Sequence, residues 1–264
     1  MSRPDLWIEA HRYGTRVLAH DLEPWLKPAE LGLFYRQLAD LLRPELIELP
    51  ILPPMRAYLA TTSTDAGDPQ KVVTSIIDAL SEDTFRQTLT EGFSAVCGAG
   101  LRSPLAIALP GPDALLAGVA PHLIASVEDD ERDALAIVLT DLVRMLARFS
   151  LQRLVLHESS PAALDASDVL LNLTRDYRIP VTLIADLPAA NAPSVIESTM
   201  PASTAAVAWQ AGRACRVLSE QLWASPEEID PACWRDAQVV RLLIPPNVAP
   251  EVVMRVLAHL RCTP

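Results

Sequence analysis

Short, continuous apolar runs recur along this chain and constrain its fold more than any other feature. They read "TRVLAH" (15–20), "ELIELPI" (45–51), "KVVTSII" (71–77), "PLAIALP" (104–110), "QRLVLH" (152–157), "PVTLIA" (180–185), "TAAVAW" (204–209) and "VVRLLIP" (239–245). A strand with one wet face alternates apolar and polar residues. A run that is apolar throughout is covered on both faces, which is the habit of parallel sheets. Helical patterns lie between most of the runs. "PAELGLFYRQLADLLR" (28–43) opens on a proline suited to a first turn and places Leu33, Leu38, Leu41 and Leu42 on one side. "SEDTFRQTLTEGFSAVCGAG" (81–100) has Ser81 as N-cap and a glycine stop, with Cys97 expected as a small buried hydrophobe. "EDDERDALAIVLTDLVRMLARF" (128–149) crowds acids at its start and carries Arg144 and Arg148 near its end, as the helix dipole favours. Shorter helices are expected at 167–178 and 249–260.

Eight runs in 264 residues give one unit per 33 residues, the spacing of a small (β/α)8 barrel of parallel strands. The alternative is an open doubly wound α/β sheet. That fold usually carries a glycine-rich first turn, and no run here is followed by G-x-G-x-x-G. The first run is the weakest strand, since it could close a helix beginning near Pro4, and the seventh is also weak. The polar loops at 63–70, 187–203 and 224–238 do not look like interdomain linkers, so residues 1–264 are read as a single barrel domain.

A formal net charge of −11 repels phosphate backbones, and the scattered Arg and Lys form no basic stripe, so nucleic acid is not an expected partner. No apolar run reaches the roughly 18 residues needed to span a bilayer. The N-terminal "MSRPDLWIEAHRYG" lacks the uninterrupted apolar core of a secretory signal. Cys97, Cys215, Cys233 and Cys262 show neither metal-site spacing nor a disulfide framework, which points to a reducing cytoplasm. The partners expected are a small-molecule substrate and, as an open alternative, a second copy of the chain.

Barrel enzymes keep their reactive groups where the strands end at the carboxyl side. The residues expected there are His20 and Asp21, Glu48, Asp78, Pro110 to Pro112, His157 and Glu158, Asp186, Trp209 and Gln210, and Pro245 to Asn247. Among them His157 and Asp186 are the candidate proton carriers, with Glu48 and His20 as helpers. Arg56, just past the second run, would grip a substrate carboxylate in bidentate fashion. Glu158, Trp209 and Asn247 complete the candidate binding set. His11, His122 and His259 read as surface or helix-end residues. No metal and no cofactor is expected: H-x-H, H-x-C and H-E-x-x-H are absent, and "WQAGR" and "PPNVAP" are too rich in proline and too poor in glycine to cradle a phosphate. Ser159 and Ser160 sit in a turn rather than in G-x-S-x-G, so a serine nucleophile is not expected.

From residue 104 onward, over about 160 residues, the order of elements resembles the group of barrels that includes uroporphyrinogen decarboxylase and cobalamin-independent methionine synthase. "SPLAIALPGPDALLAG" resembles that group's strand, Gly-Pro turn and helix. The acidic-start helix leading into "LQRLVLHESSP", then "YRIPVTLIAD", and finally "VVRLLIPPNVAPEVVMRVLAHL" resemble the elements that follow. Two motifs depart from the pattern. "EAHRYG" (9–14) only echoes the decarboxylases' arginine-rich N-terminal segment. Ile184, Ala185 and Asp186 stand where the zinc methyltransferases of the group carry H-x-C. The resemblance therefore implies a lyase of decarboxylase type acting on a small or medium organic acid by general acid–base chemistry. One-carbon (methyl) transfer on the same fold and a non-catalytic, ligand- or partner-binding barrel are the alternatives.

Overall fold

A computed structural model of the chain describes residues 5–61, 68–149, 151–158, 165–184, 196–200, 215–217, 223 and 239–262. Its strands are β1 (Asp5–Glu9), β2 (Leu46–Pro50), β3 (Leu105–Pro110), β4 (Arg153–His157), β5 (Val181–Ile184), β6 (Ile196–Met200), β7 (Cys215–Val217) and β8 (Val239–Leu243). The helices are α1 (His11–Leu18), α2 (Pro28–Leu42), α3 (Leu52–Leu59), α4 (Pro69–Ser81), α5 (Asp83–Gly98), α6 (Pro112–Val119), α7 (Asp129–Leu146), α8 (Asp168–Asp176) and α9 (Pro250–Cys262). Every strand pairing is parallel, in the order β6-β5-β4-β3-β2-β1-β8-β7. Parallel neighbours need long crossovers, and α1 to α8 supply them from β1 to β5.

Five of the eight apolar runs are strands. "TRVLAH" is not: its first residues close α1, and the first strand is the earlier "DLWIE". "KVVTSII" lies inside α4. Asp68 caps that helix by accepting from the Gln70 amide, and Pro69 fills its first turn. The buried residues Val72, Val73, Ile76, Ala79 and Leu80 follow helical rather than strand spacing, which a window ending at Ile77 conceals. "TAAVAW" lies outside the described residues, while β6 and β7 arise where no strand was expected.

The closed ring expected from the sequence is not what the structure shows. The strands β5-β4-β3-β2-β1-β8 curl into a half-barrel, with β6 and β7 at the two edges. Among the described residues these edges do not pair with each other, and β7, three residues long, bonds only to β8. The doubly wound alternative fails on strand order, because β1 sits between β2 and β8 instead of at a point where the winding reverses.

Each strand sorts its side chains by size and polarity. Leu6, Ile8, Ile47, Leu49, Ile107, Leu109, Leu154, Leu156, Val181, Leu183, Val240 and Leu242 join the main core, which includes buried residues of α2, α4, α5, α7 and α9. The opposite face forms a separate small cluster of Trp7, Ala106, Ala108, Val155 and Ile184. The two faces explain why the runs look continuous: both are buried, one by helices and the other inside the curl.

Helix ends follow local chemistry. Glu128 and Glu131 form a reciprocal capping box at the start of α7. Ser81 is the last residue of α4, and Glu82 takes the N-cap position of α5. Leu33 is exposed on α2, whose buried face is Leu31, Gly32, Phe34, Tyr35, Leu38 and Leu42. Cys97 is exposed rather than buried. The close crossing of α2 and α5 needs Gly32, where an added Cβ would lie 2.4 Å from the Ala95 carbonyl oxygen. Gly32→Ala is expected to lower stability by about 1–3 kcal/mol through overpacking against fixed backbone. Gly98→Ala, with nothing within 4 Å of the new Cβ, is expected to be neutral or stabilising by up to about 1 kcal/mol. Thermal unfolding of the two variants checks the contrast.

Candidate functional site

The sheet register gathers a polar network on the inner face. Trp7 and Glu9 of β1 pair in register with Arg241 and Leu243 of β8. Ile8 pairs with Ile47, which brings Glu48 of β2 alongside. Side chains alternate along a strand, so Trp7, Glu9, Glu48 and Arg241 project to the same side.

Glu48 is the hub. It is 2% exposed and accepts from Trp7 Nε1 at 2.9 Å and from Arg241 Nη2 at 3.3 and 3.4 Å. His157 Nε2 lies 3.4 Å from Glu48 Oε1. The same Arg241 nitrogen donates to Glu9 Oε2 at 2.5 Å. The Arg241 guanidinium carbon lies 5.9 Å from the centre of the Trp7 ring, a cation–π distance. Glu9 and His157 are the solvent-reaching ends of this chain, with side chains 24% and 33% exposed.

Glu48 and His157 come from strands that are not neighbours, since β3 runs between them. They meet because β3 turns the small Ala106 and Ala108 toward the interior, with Pro110 opposite His157, while sending Ile107 and Leu109 to the helices. "LAIAL" therefore holds a positional code that its even hydrophobicity hides.

Burial by itself would push the Glu48 carboxyl up. The Arg241 charge, with the hydrogen bonds and charge supplied by His157 and Arg241, outweighs it and brings the pKa down to about 2. Glu48 is thus a buried carboxylate that is ionised at neutral pH.

A second network stands behind β1. His11 is buried, not at the surface. Its Nδ1 lies 2.9 Å from the Tyr35 hydroxyl and its Nε2 3.1 Å from Glu23 Oε1. Burial, and then the charges of Glu23, Glu48 and Glu9, hold the Tyr35 phenol well above its ordinary value. Tyr35 therefore stays protonated, and the His11 ring bridges its hydroxyl to Glu23.

The remaining expected residues are dispersed. His20 is exposed on the turn after α1, not at a strand end, with φ of 51° beside Asp21 at 63°. Arg56 lies on the exposed side of α3 and Asp78 on the exposed side of α4, because both are inside helices where a loop and a strand end were expected. Glu158 is 3% exposed, and its carboxylate oxygen lies where a Cβ on Gly111 would stand, 2.0 Å away, so it packs under the rim. Asn247 sits on the loop after β8 and accepts from Arg16 Nη1 at 2.5 Å. Asp186 and Trp209 lie outside the described residues. His122 and His259 are exposed, as expected.

Sequence reasoning missed Trp7, Glu9 and Arg241. The signal for Arg241 was present: it is a lone charge inside "VVRLLIP", and a charge in a strand buried on both faces must be paired. Trp7 and Glu9 were hidden by the misplaced first strand.

Among the described residues, no group of three or more His, Cys, Asp or Glu side chains is arranged to hold a metal ion. No described helix is long and apolar enough to cross a membrane. A cleft of about 430 Å³ opens at the far end of β3 and β4, lined by Val96, Cys97, Leu101, Arg148, Phe149 and Gln152 among others. It holds no acid–base pair, so its volume does not make it the reactive site. No protein-family model matches this sequence, and no curated protein matches it as a relative.

The low Glu48 pKa links stability to pH. The unfolded carboxyl titrates near 4.5 and the folded one near 2, so between these values the unfolded chain binds more protons. The contribution is present above about pH 5 and is lost as pH falls toward 2, on the order of 3 kcal/mol in full. Urea unfolding of the parent is expected to weaken over this window more steeply than that of Glu48→Gln. Equal slopes would mean that Glu48 titrates normally.

Proposed function

We propose that the inner face of the half-barrel is the active site of a lyase, decarboxylase-like in chemistry, acting on a small or medium organic acid. One observation carries the reading: the ring of His157, at the carboxyl end of β4, is backed by the buried carboxylate of Glu48. A carboxylate behind an imidazole favours the Nε2–H tautomer and leaves Nδ1 as the nitrogen able to take a proton from substrate. His157 then serves as the general acid–base group. Glu48 orients it, Trp7 donates to Glu48, and Arg241 stands beside it as a longer-range counter-charge.

The apolar floor of Trp7, Ala106, Ala108, Val155 and Ile184 supports this reading, since a ligand site combines apolar walls with few, fixed polar groups. So does the strand order, which is that of a (β/α)8 barrel read around from β1. The likeness to the uroporphyrinogen decarboxylase group belongs to the same proposal. Arg241 is engaged by Glu9 and Glu48. Anchoring a substrate carboxylate therefore falls to rim groups such as Arg16, held by Asn247.

The test is a panel of small organic acids incubated with the protein in D2O, followed by NMR for carbon dioxide release and for deuterium uptake into product. His157→Gln is expected to slow any turnover by about 10²- to 10⁴-fold with an unchanged circular dichroism spectrum. Turnover equal to the parent would remove His157 from the chemistry. With a methylated folate added as donor, a product bearing a new methyl group would favour one-carbon transfer. Ligand binding with no turnover of any acid would favour the non-catalytic barrel.

A further inference from the structure

Arg241 Nη2 is shared unequally by two carboxylates, 2.5 Å from Glu9 but 3.3 and 3.4 Å from Glu48. The guanidinium is buried, and a buried charge settles on whatever counter-charge is in reach. With Glu9 present, Arg241 leans toward β1. Without it, Glu48, already within reach of the same nitrogen, would be drawn into a tighter pair with Arg241. That pair would neutralise the charge that His157 now faces.

We propose that Glu9 is a positioning residue that holds Arg241 off Glu48 and thereby keeps the Glu48 carboxylate available to His157. The proposal rests on the reading of His157 as the proton-carrying group, and it assigns to β1 the control of that group from across the sheet. Among the described residues, the charged groups of the network around His157 on the inner face are Glu48 from β2, Arg241 from β8 and Glu9 from β1, with Arg153 further along β4 itself. Arg153 donates to the Thr182 hydroxyl at 2.7 Å. The inner-face residues of β3 and β5, Ala106, Ala108, Thr182 and Ile184, do not titrate.

The arrangement differs from plain structural pairing in one measurable respect. If Glu9 merely braced the fold, its replacement would change stability and leave the His157 ring untouched. If it divides Arg241 between two acids, its charge controls how much of Glu48 the ring sees.

The experiment is an NMR titration of the His157 ring protons in the intact chain. Glu9→Gln keeps the side-chain shape and an acceptor oxygen, and it is expected to move the His157 midpoint to lower pH by about one unit, a tenfold loss of proton affinity. Glu9→Asp, which keeps the charge, is expected to hold the parent midpoint. Adding Arg241→Gln to Glu9→Gln removes the competitor and is expected to move the midpoint back up. Should Glu9→Gln not fold, Arg241→Gln alone decides, with a midpoint expected above the parent's. A midpoint unchanged by Glu9→Gln, or by Arg241→Gln where that variant stands in, overturns the proposal. The titration needs no turnover. An unmoved midpoint with His157-dependent turnover sinks this inference alone, whereas a shifted midpoint with no turnover of any acid sinks only the enzyme reading.

Discussion

The register of the parallel ladder around β1 is the constraint on which the rest depends. Side chains change face at every residue, so a slip of one position would turn Trp7, Glu9, Glu48 and Arg241 into the helical layer and bring leucines and isoleucines inside. Four polar or charged groups buried among helices without partners would not be tolerated. The correct register lets the same four groups satisfy one another. Stability and site geometry therefore have a common cause, and β1, the first strand, lies between β2 and β8, the last described strand.

Inside the curl, size matters as much as polarity. A single buried arginine serves two glutamates, and a single buried glutamate serves a tryptophan, an arginine and a histidine. The His157–Glu48 contact crosses a whole strand and depends on the alanines of β3. Larger inward side chains on β3 would fill the space between the two groups and leave a packed interior without a reactive pair. The interior thus has an apolar floor with an ionic layer whose exposed members are Glu9 and His157.

Two members of the candidate network, Glu48 and His157, were legible in the sequence, and the losses have identifiable causes. Glu48 and His157 were readable because they end or interrupt apolar runs that are true strands. His20 and Asp78 were misplaced because the runs before them are helical, and Arg56 because the helix α3 follows β2 at once. A seven-residue window such as "KVVTSII" cannot separate a buried strand from the apolar face of a helix, and only the recurrence at Ala79 and Leu80 does so. His11 was read as a surface residue because nothing nearby in the chain announces its partners. Tyr35 lies 24 residues away and Glu23 12.

The sequence by itself determined an α/β chain with parallel strands, because continuous apolar runs separated by amphipathic helices have few other ways to bury both faces of each strand. It also determined that polar groups would emerge at the carboxyl ends of those strands. Only the tertiary structure decided that the sheet is an open half-barrel among the described residues, and that Arg241 and Glu9, 232 residues apart, meet Glu48 and His157 in one network. The physical reason is that hydrophobic periodicity is a local property of the chain. Strand order, register and the sharing of one guanidinium between two acids are set by contacts between segments that only folding brings together.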